Sequence, residues 1–295
     1  MLCLAWSTAE AQVGYNDAPF ESLVQGEQAH HGVLKSDMPP TRGFDMKYAR
    51  CAWNLDPAVH YISGSVTSKF TMMVDLDELV FDLSTNLSVD SVVYHGASIA
   101  FSQDAGDLLT ITLPAMVPAG VFDSVAVTYH GVPPNTGFGS FVNSTHNGTP
   151  IVWTLSQPYG ARDWWPCKQD LNDKIDSLDT YVTTPDAYRA AGNGLLVDSA
   201  SSNGHTTWHW RERYPIDPYL VATAVTNYQV DLRYAVIDGD SIPMLTYAYP
   251  EDFYAATLTA NDVLQQIALY SNLFGLYPFA NEKYGHAQFG WGGGM

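Results

Sequence analysis

The amino-acid sequence predicts a mainly β chain, in which an antiparallel β sandwich or curved sheet precedes the beginning of an α/β unit. Short runs rich in Val, Ile, Thr, Phe and Tyr follow one another from Phe44 onward, with Gly and Asn between them. Helical periodicity is convincing only near the carboxyl end, in residues 259–274. Strands at this spacing without helices between them are typical of antiparallel sandwiches.

Two groups of strands are expected. The first group comprises residues 46–55, 63–74, 78–82, 88–94, 108–113 and 124–129. The second group comprises residues 151–155, 179–184, 194–199, 206–213, 219–228 and, later in the chain, 242–249. Residues 206–213 read TTWHWRER, an alternation that favours a strand with one packed face and one wet face.

The predicted helix, residues 259–274, has one apolar stripe. Val263, Ile267 and Phe274 recur at helical spacing on one face. Thr259 resembles an N-terminal capping residue, and Gly275 is a typical stop signal. After this helix we expect a strand over residues 283–289, which leads into a run of glycines.

Composition excludes some classes of function. The chain of 295 residues is 46% hydrophobic and 13% aromatic, enough to fill a core. Thirteen basic and 31 acidic residues give a net charge of −18, which repels nucleic acids. No apolar run reaches the ~18–20 residues that a membrane-spanning helix needs.

The N-terminal segment suggests export. Residues 1–11 resemble the remnant of a secretory signal peptide, with a short apolar run and the small-x-small sequence Ala9-Glu10-Ala11. An ordinary irregular terminus is the alternative, because the apolar run is short and lacks a basic start. Residues 12–43 are expected to form an irregular lead-in. The predicted location is therefore outside the cell or in the periplasm.

The cysteines allow two interpretations. Cys3 would leave with a signal peptide, whereas Cys51 and Cys167 belong to the predicted β region. These two residues either form a disulfide or are buried free thiols, and their spacing does not suggest a metal site.

The most informative segment is QPYGARDWWPCKQD, residues 157–170. Gln157 offers an amide oxygen and two N–H donors, which can bind an ammonium group and a peptide carbonyl. Arg162 has the geometry to bind a carboxylate through two hydrogen bonds. The alternative is a structural corner with Trp164 and Trp165 in the core.

This segment resembles a signature of the M1 family of zinc metallopeptidases, which includes aminopeptidase N and leukotriene A4 hydrolase. Segments similar to the family's N-terminal domain also occur at residues 62–67, 77–83, 127–134 and 219–222. The resemblance implies an N-terminal saddle-like β domain, residues 44–229, and the incomplete start of a thermolysin-like α/β catalytic domain, residues 230–295. It also implies that Gln157 binds the free amino terminus of a peptide.

The last residues extend the resemblance. Gly293, Gly294 and Met295 resemble the opening of the family's G-x-M-E-N motif, whose strand edge binds the substrate. Glycine is suited to such a position because the backbone can approach an extended peptide closely. The alternative is a flexible glycine-rich end.

The family's H-E-x-x-H zinc motif is not found in these 295 residues. The HxxxH spacing of His205 and His209 lies in a predicted strand, so we do not expect it to bind metal. The resemblance therefore implies a parent enzyme with one zinc ion, which removes N-terminal residues from peptides, and an inactive fragment that ends before the zinc ligands. The competing hypothesis is a non-catalytic extracellular β-sandwich binding module or M1-like scaffold. The recurring Asp170, Asp173, Asp176 and Asp179, together with Lys168 and Lys174, are interpreted as a solvated charged loop.

Overall fold

The computed structural model describes residues 42–136, 139–237 and 239–291. The predicted signal peptide, nearly all of the lead-in, and Gly293, Gly294 and Met295 lie outside these residues. The first strand begins at Phe44, two residues before the predicted start at Met46. Within the described residues, no helix is both long and apolar enough to cross a membrane.

The largest sheet has eight strands, in the spatial order β13-β14-β11-β1-β2-β8-β4-β5. Its strands are β1 (Phe44–Asn54), β2 (Ile62–Met72), β4 (Leu87–Tyr94), β5 (Ala97–Ser98), β8 (Phe122–Gly131), β11 (Ser177–Pro185), β13 (Leu195–Ser202) and β14 (His205–Glu212). All neighbours in this sheet are antiparallel except β1 and β11, which pair in parallel with Cys51 opposite Thr180. This parallel pair joins segments more than 100 residues apart.

A smaller sheet covers one face of the large sheet. It has the order β3-β7-β6 and consists of β3 (Leu76–Asp82), β6 (Phe101–Gln103) and β7 (Leu108–Val117). The Phe44 ring contacts Phe70 of the large sheet and Phe81 of the small sheet, with ring centroids 5.2 and 5.4 Å away. All three side chains are fully buried. The predicted antiparallel sandwich is therefore confirmed.

A four-stranded sheet, in the order β12-β15-β10-β9, lies beside the sandwich. Its strands are β9 (Phe141–His146), β10 (Thr149–Thr154), β12 (Arg189–Gly192) and β15 (Thr223–Thr226). The sequence predicted β10 but missed β9 and β12. It also predicted one long strand over residues 219–228, where the structure has a 3-10 turn at Pro218–Leu220 followed by the short β15.

The last unit contains β16 (Gln229–Ile237), β17 (Asp240–Ala248), α1 (Phe253–Phe274) and β18 (Tyr284–Ala287). The three strands form a separate sheet, and Val263 and Ile267 of α1 pack on Ile242 and Met244 of β17. A new sheet thus begins at Gln229, next to the predicted domain boundary, which itself stays a prediction.

The helix begins earlier than predicted. It starts at Phe253 after the cap residue Asp252, so the expected cap at Thr259 is wrong. The Thr259 hydroxyl instead donates to the Ala255 carbonyl one turn earlier. The predicted end is confirmed, because Gly275 follows the last helical residue with a φ of +101°.

The interpretation of the Asp-rich segment as a solvated loop is wrong for several of its charges. Asp170 and Asp173 are buried, and Lys168 is only 2% exposed. The Lys168 ammonium group pairs with Asp173 and donates to the Phe44 carbonyl at 2.5 Å. Asp173 also accepts the N–H of Met46. The segment therefore fastens the start of β1 from inside the core.

Cys51 and Cys167 are both buried free thiols. Burial raises the pKa of each thiol, so both stay protonated. Of the two interpretations that the sequence allowed, the structure shows the second.

A buried polar cluster joins the segment before β18 to the eight-stranded sheet and to β12 of the four-stranded sheet. The Lys283 ammonium group donates to the carbonyls of Gly192 and Gly194 and lies 4.9 Å from the centre of the Trp210 ring. The adjacent Glu282 accepts the N–H of Arg213 at 2.6 Å. Burial and a hydrogen bond with Glu212 raise the pKa of Glu282 to about 7, and burial lowers the pKa of Lys283 to about 8.

The raised pKa of Glu282 should make the free energy of unfolding of this chain decrease as the pH rises from about 4.5 to about 7. Its pKa is 4.5 ordinarily and about 7 when folded, so between these values the folded chain keeps a proton that the unfolded chain has lost. The contribution of Glu282 to the free energy of unfolding should therefore fall by roughly 1–2 kcal/mol as the pH rises through this window. Lys283 has the opposite effect, because its pKa is lowered from 10.5 to about 8 in the folded chain. Its contribution to the free energy of unfolding should therefore rise between about pH 8 and pH 10.5.

Urea unfolding of the unmodified chain and of Glu282→Gln, at a series of pH values, measures this effect. The difference in unfolding free energy between the two proteins should change from about pH 4.5 to about pH 7 and then level off. A difference that is constant across this window would contradict the expectation.

Candidate functional site

Gln157 lies in the turn that follows β10, and its side chain is exposed. The turn occupies residues 157–160, and the Gln157–Pro158 peptide bond is cis. The carboxamide is thus presented to solvent, where it can reach a ligand.

The segment behind Gln157 is anchored in the core. The Trp164 indole N–H donates to the Ser156 hydroxyl at 2.8 Å, and the Trp164 carbonyl accepts the Tyr129 hydroxyl at 2.8 Å. The Trp164 ring also packs on Trp53, with centroids 4.7 Å apart. Trp164 and Trp165 are fully buried, as the structural-corner alternative expected. The exposed Gln157 carboxamide is therefore attached to a segment that is held in place by buried contacts.

Asp163 fixes the other side of the turn. Its carboxylate accepts the hydroxyls of Ser140 at 2.7 Å and Thr136 at 2.5 Å, and burial raises its pKa. Gly160 permits this close packing, because a Cβ at that position would lie 2.1 Å from the Ser140 oxygen. The turn is thus held by side chains on both sides.

Among the described residues, Arg162 does not form the expected bidentate pair of hydrogen bonds with a carboxylate. Its Nε lies 3.9 Å from one oxygen of Asp107, which is beyond hydrogen-bond distance. The Arg162 carbonyl instead accepts the N–H of Ser84. The Arg162 backbone thus stabilises the fold through this hydrogen bond, and its half-buried side chain places a positive charge near the turn.

An aromatic junction, which the sequence analysis missed, joins β10 to the chain after β18. Its members are Trp153, Tyr228, Tyr247, Tyr249, Phe289 and Trp291. The rings of Trp153 and Phe289 lie 4.8 Å apart. The Tyr228 hydroxyl donates to the carbonyl of Gln288 at 2.5 Å. The high content of aromatic residues suggests that such a cluster exists, but it does not predict which residues contact one another.

Each predicted part of the site follows a member of the junction closely in the sequence. Gln157 follows Trp153 by four residues, and Gly293 follows Phe289 by four residues. Four residues span at most about 14 Å. Because Gly293, Gly294 and Met295 lie outside the described residues, their contact with Gln157 stays a prediction.

In the described ranges, no group of three His, Cys, Asp or Glu side chains could hold a metal ion. His209 stacks on Tyr181 with ring centroids 4.1 Å apart, and its Nε2 lies 2.7 Å from an oxygen of Asp179. His205 is exposed at the start of β14. The residues described thus do not fit a zinc site, and the chemistry that they offer is hydrogen bonding.

Comparison with known proteins gives a consistent result for the fold. No protein-family model matches the sequence, and no curated protein matches it. Among solved structures, the chain is similar to an M1 zinc metallopeptidase from Deinococcus radiodurans, with a TM-score of 0.70 and 22% identity. That alignment covers 83% of this chain and 56% of the other.

Two further structures match with the same TM-score and identity. One is a mutant of the Deinococcus radiodurans enzyme bound to a Tyr-Ser-Ala substrate. The other is a mutant two-domain M1 zinc metallopeptidase bound to L-tryptophan, where 84% of this chain and 57% of the other are covered. This chain thus spans a little over half of the length of the structures that it matches. Its β-rich architecture is the fold of the N-terminal β domain of the M1 zinc metallopeptidases.

Proposed function

We propose that this chain is the N-terminal portion of a zinc-dependent M1 aminopeptidase, which removes N-terminal residues from peptides. The exposed Gln157, on an anchored turn within an M1 fold, is the observation that carries the proposal. The solved relatives support the substrate class, since their ligands include a peptide and single amino acids.

Gln157 would bind the free amino terminus of the substrate. Its amide oxygen accepts hydrogen bonds from an ammonium group, while its N–H groups donate to a peptide carbonyl. The rigid base beneath the turn limits the entropy lost when the side chain is fixed by substrate. Gly293, Gly294 and Met295 would offer backbone groups to the same peptide.

A zinc ion in the parent would polarise the scissile carbonyl and activate water. The described residues do not supply its ligands, so we propose that the isolated chain binds peptides without hydrolysing them. We also propose that the protein is exported, on the strength of the small-x-small sequence at Ala9-Glu10-Ala11.

Replacing Gln157 in the longer parent should impair catalysis. The longer protein would be expressed from the reading frame that continues past the codon for Met295 and assayed on aminoacyl-fluorophore substrates. Gln157→Ala should lower kcat/KM on the order of tenfold to a hundredfold, because one or two charge-assisted hydrogen bonds are lost. Gln265→Ala, at an exposed position of α1, is the matched control and should have no effect.

A zinc chelator should abolish the activity of both the unmodified parent and the control. Release of amino acids that resists the chelator would contradict the zinc-dependent mechanism. Peptide binding without any hydrolysis by the longer protein would instead favour the non-catalytic scaffold. Full activity in Gln157→Ala would remove the assigned role of this residue while leaving the fold intact.

A further inference from the structure

A cavity of about 560 Å³ lies where the sheet formed by β16, β17 and β18 meets the rest of the fold. Its walls come from the turn between β12 and β13, from the segment after β14, and from residues 277–286 around the start of β18. Gln157 is not among the residues that line it, so the cavity is separate from the turn described above. Small-molecule sites occur preferentially at such junctions between structural units.

Two glutamate side chains meet on the polar wall of this cavity. Glu282 is 6% exposed and accepts the N–H of Arg213 at 2.6 Å, while Glu212 accepts the N–H of Tyr214 at 2.9 Å. A hydrogen bond joins the two carboxyl groups. Ionised carboxylates can only accept hydrogen bonds, so this contact requires one proton between them. Because the pKa of Glu282 is about 7, that proton is readily given up near neutral pH.

The other groups on the wall leave one negative charge to be balanced. The Lys283 ammonium group is held by two backbone carbonyls and compensates one of the two glutamates. Burial lowers the pKa of His286, so its ring is neutral at pH 7. The neighbouring Arg213 guanidinium pairs with Asp179 at 2.8 Å. Once the shared proton leaves, the cavity therefore lacks one positive charge.

Four aromatic rings also line the cavity. The Phe279 ring lies 5.0 Å from that of Tyr214 and 5.7 Å from that of Tyr277, at angles of 87° and 70°. The Tyr277 ring in turn lies 5.9 Å from that of Tyr284. Phe279 is 46% exposed, so a ligand can reach this aromatic wall from solvent. Aromatic rings offer apolar contact area and attract cations at their faces.

We propose that this cavity binds an organic monocation, whose primary ammonium group replaces the proton between Glu212 and Glu282 and whose apolar part contacts the aromatic wall. The displaced proton passes to solvent, so the charge of the cavity is the same before and after binding. An ammonium group has three N–H donors, which suit two carboxylates. The proposal does not rest on peptide binding at Gln157 or on the proposed enzymatic activity.

Isothermal titration calorimetry on the 295-residue chain tests the site. Phenethylammonium should bind on the order of tenfold more tightly than 2-phenylethanol, its neutral analogue, because only the cation forms charge-assisted hydrogen bonds. Titrations in two buffers with different ionisation enthalpies measure proton release. At pH 6, about one proton should be released for each cation bound. N-acetyl-lysine methylamide, titrated in parallel, shows whether a free amine or a lysine side chain fits the cavity better.

Two substitutions examine the two walls separately. Glu282→Gln can still accept the N–H of Arg213 and donate to Glu212, but it has no proton to lose. It should weaken binding of phenethylammonium on the order of tenfold and abolish proton release. Phe279→Ala, at a half-exposed position, should weaken binding roughly threefold to tenfold without affecting proton release.

The control substitutions lie outside the cavity. Glu78→Gln removes an exposed glutamate of β3, and Gln157→Ala removes the candidate peptide contact. Both variants should bind phenethylammonium as the unmodified chain does. Equal affinities for the cation and its neutral analogue, or unchanged affinity in a folded Glu282→Gln, would overturn the proposal. Loss of binding in Gln157→Ala would place the cation at the Gln157 turn and would equally overturn it.

Discussion

Replacing Trp164 with alanine should lower the free energy of unfolding by about 3–5 kcal/mol. The indole is fully buried, packs on Trp53 and donates its N–H to Ser156. Alanine leaves a cavity the size of the indole and an unpaired hydroxyl at Ser156. Because Ser156 precedes Gln157, this substitution should also loosen the turn that presents the carboxamide.

Equilibrium unfolding in urea measures the loss. Phe122→Ala is the control for aromatic truncation, since Phe122 is 60% exposed, and it should cost less than about 1 kcal/mol. Trp164→Phe retains an aromatic ring but no N–H donor, and its cost should fall between the two. A loss below 1 kcal/mol for Trp164→Ala would show that the core around the turn repacks freely.

Asp173→Asn should destabilise the chain by about 3 kcal/mol, because it removes the hydrogen-bonded counter-charge of the buried Lys168 ammonium group. Asparagine keeps the size of the side chain and can still accept the N–H of Met46. The loss of stability in Asp173→Asn therefore measures the effect of removing the charge, because the volume of the side chain hardly changes. The remaining partners of Lys168 are then the Phe44 carbonyl and ring and the Asp170 carboxylate, which lies 4.0 Å from the ammonium nitrogen.

A second substitution separates the charge from the packing. The double variant Lys168→Met with Asp173→Asn removes both the buried ammonium group and its hydrogen-bonded counter-charge, so part of the stability should return. The buried Asp170 carboxylate keeps its charge in this variant. Asp45→Asn breaks the exposed pair with Lys47, and its cost should be below about 1 kcal/mol. If Asp173→Asn costs no more than Asp45→Asn, the buried pair does not stabilise the start of β1.

The sequence predicts most of the long strands of this fold, although it misses the nine-residue β16. Alternating side chains in β1, β2 and β14 reveal a buried face, because the period of a strand is 2. By contrast, β5 and β6 are 2 and 3 residues long, too short for any period. Their pairing partners decide their conformation, and local propensity does not contain that information.

The candidate site shows the same limit. Gln157 could be singled out by its chemistry and by resemblance, since the amide and the surrounding aromatic residues are consecutive in the sequence. The burial of Lys168 could not be predicted from the sequence, because a charged segment ordinarily faces water. The carbonyl that accepts its hydrogen bond belongs to Phe44, which is 124 residues away. The contacts of His146, the last residue of β9, could not be predicted either, since its partners Thr226 and Glu251 are 80 and 105 residues away in the sequence.

The parallel pairing of β1 with β11 sets the order of events during synthesis. Residues 44–72 can form the β1–β2 hairpin as soon as they leave the ribosome. The other edge of β1 must then wait for β11, which begins at Ser177. At ~5–20 residues per second, this delay lasts roughly 5–21 s. During that interval β1 offers a free backbone edge, to which a strand of a neighbouring nascent chain can pair.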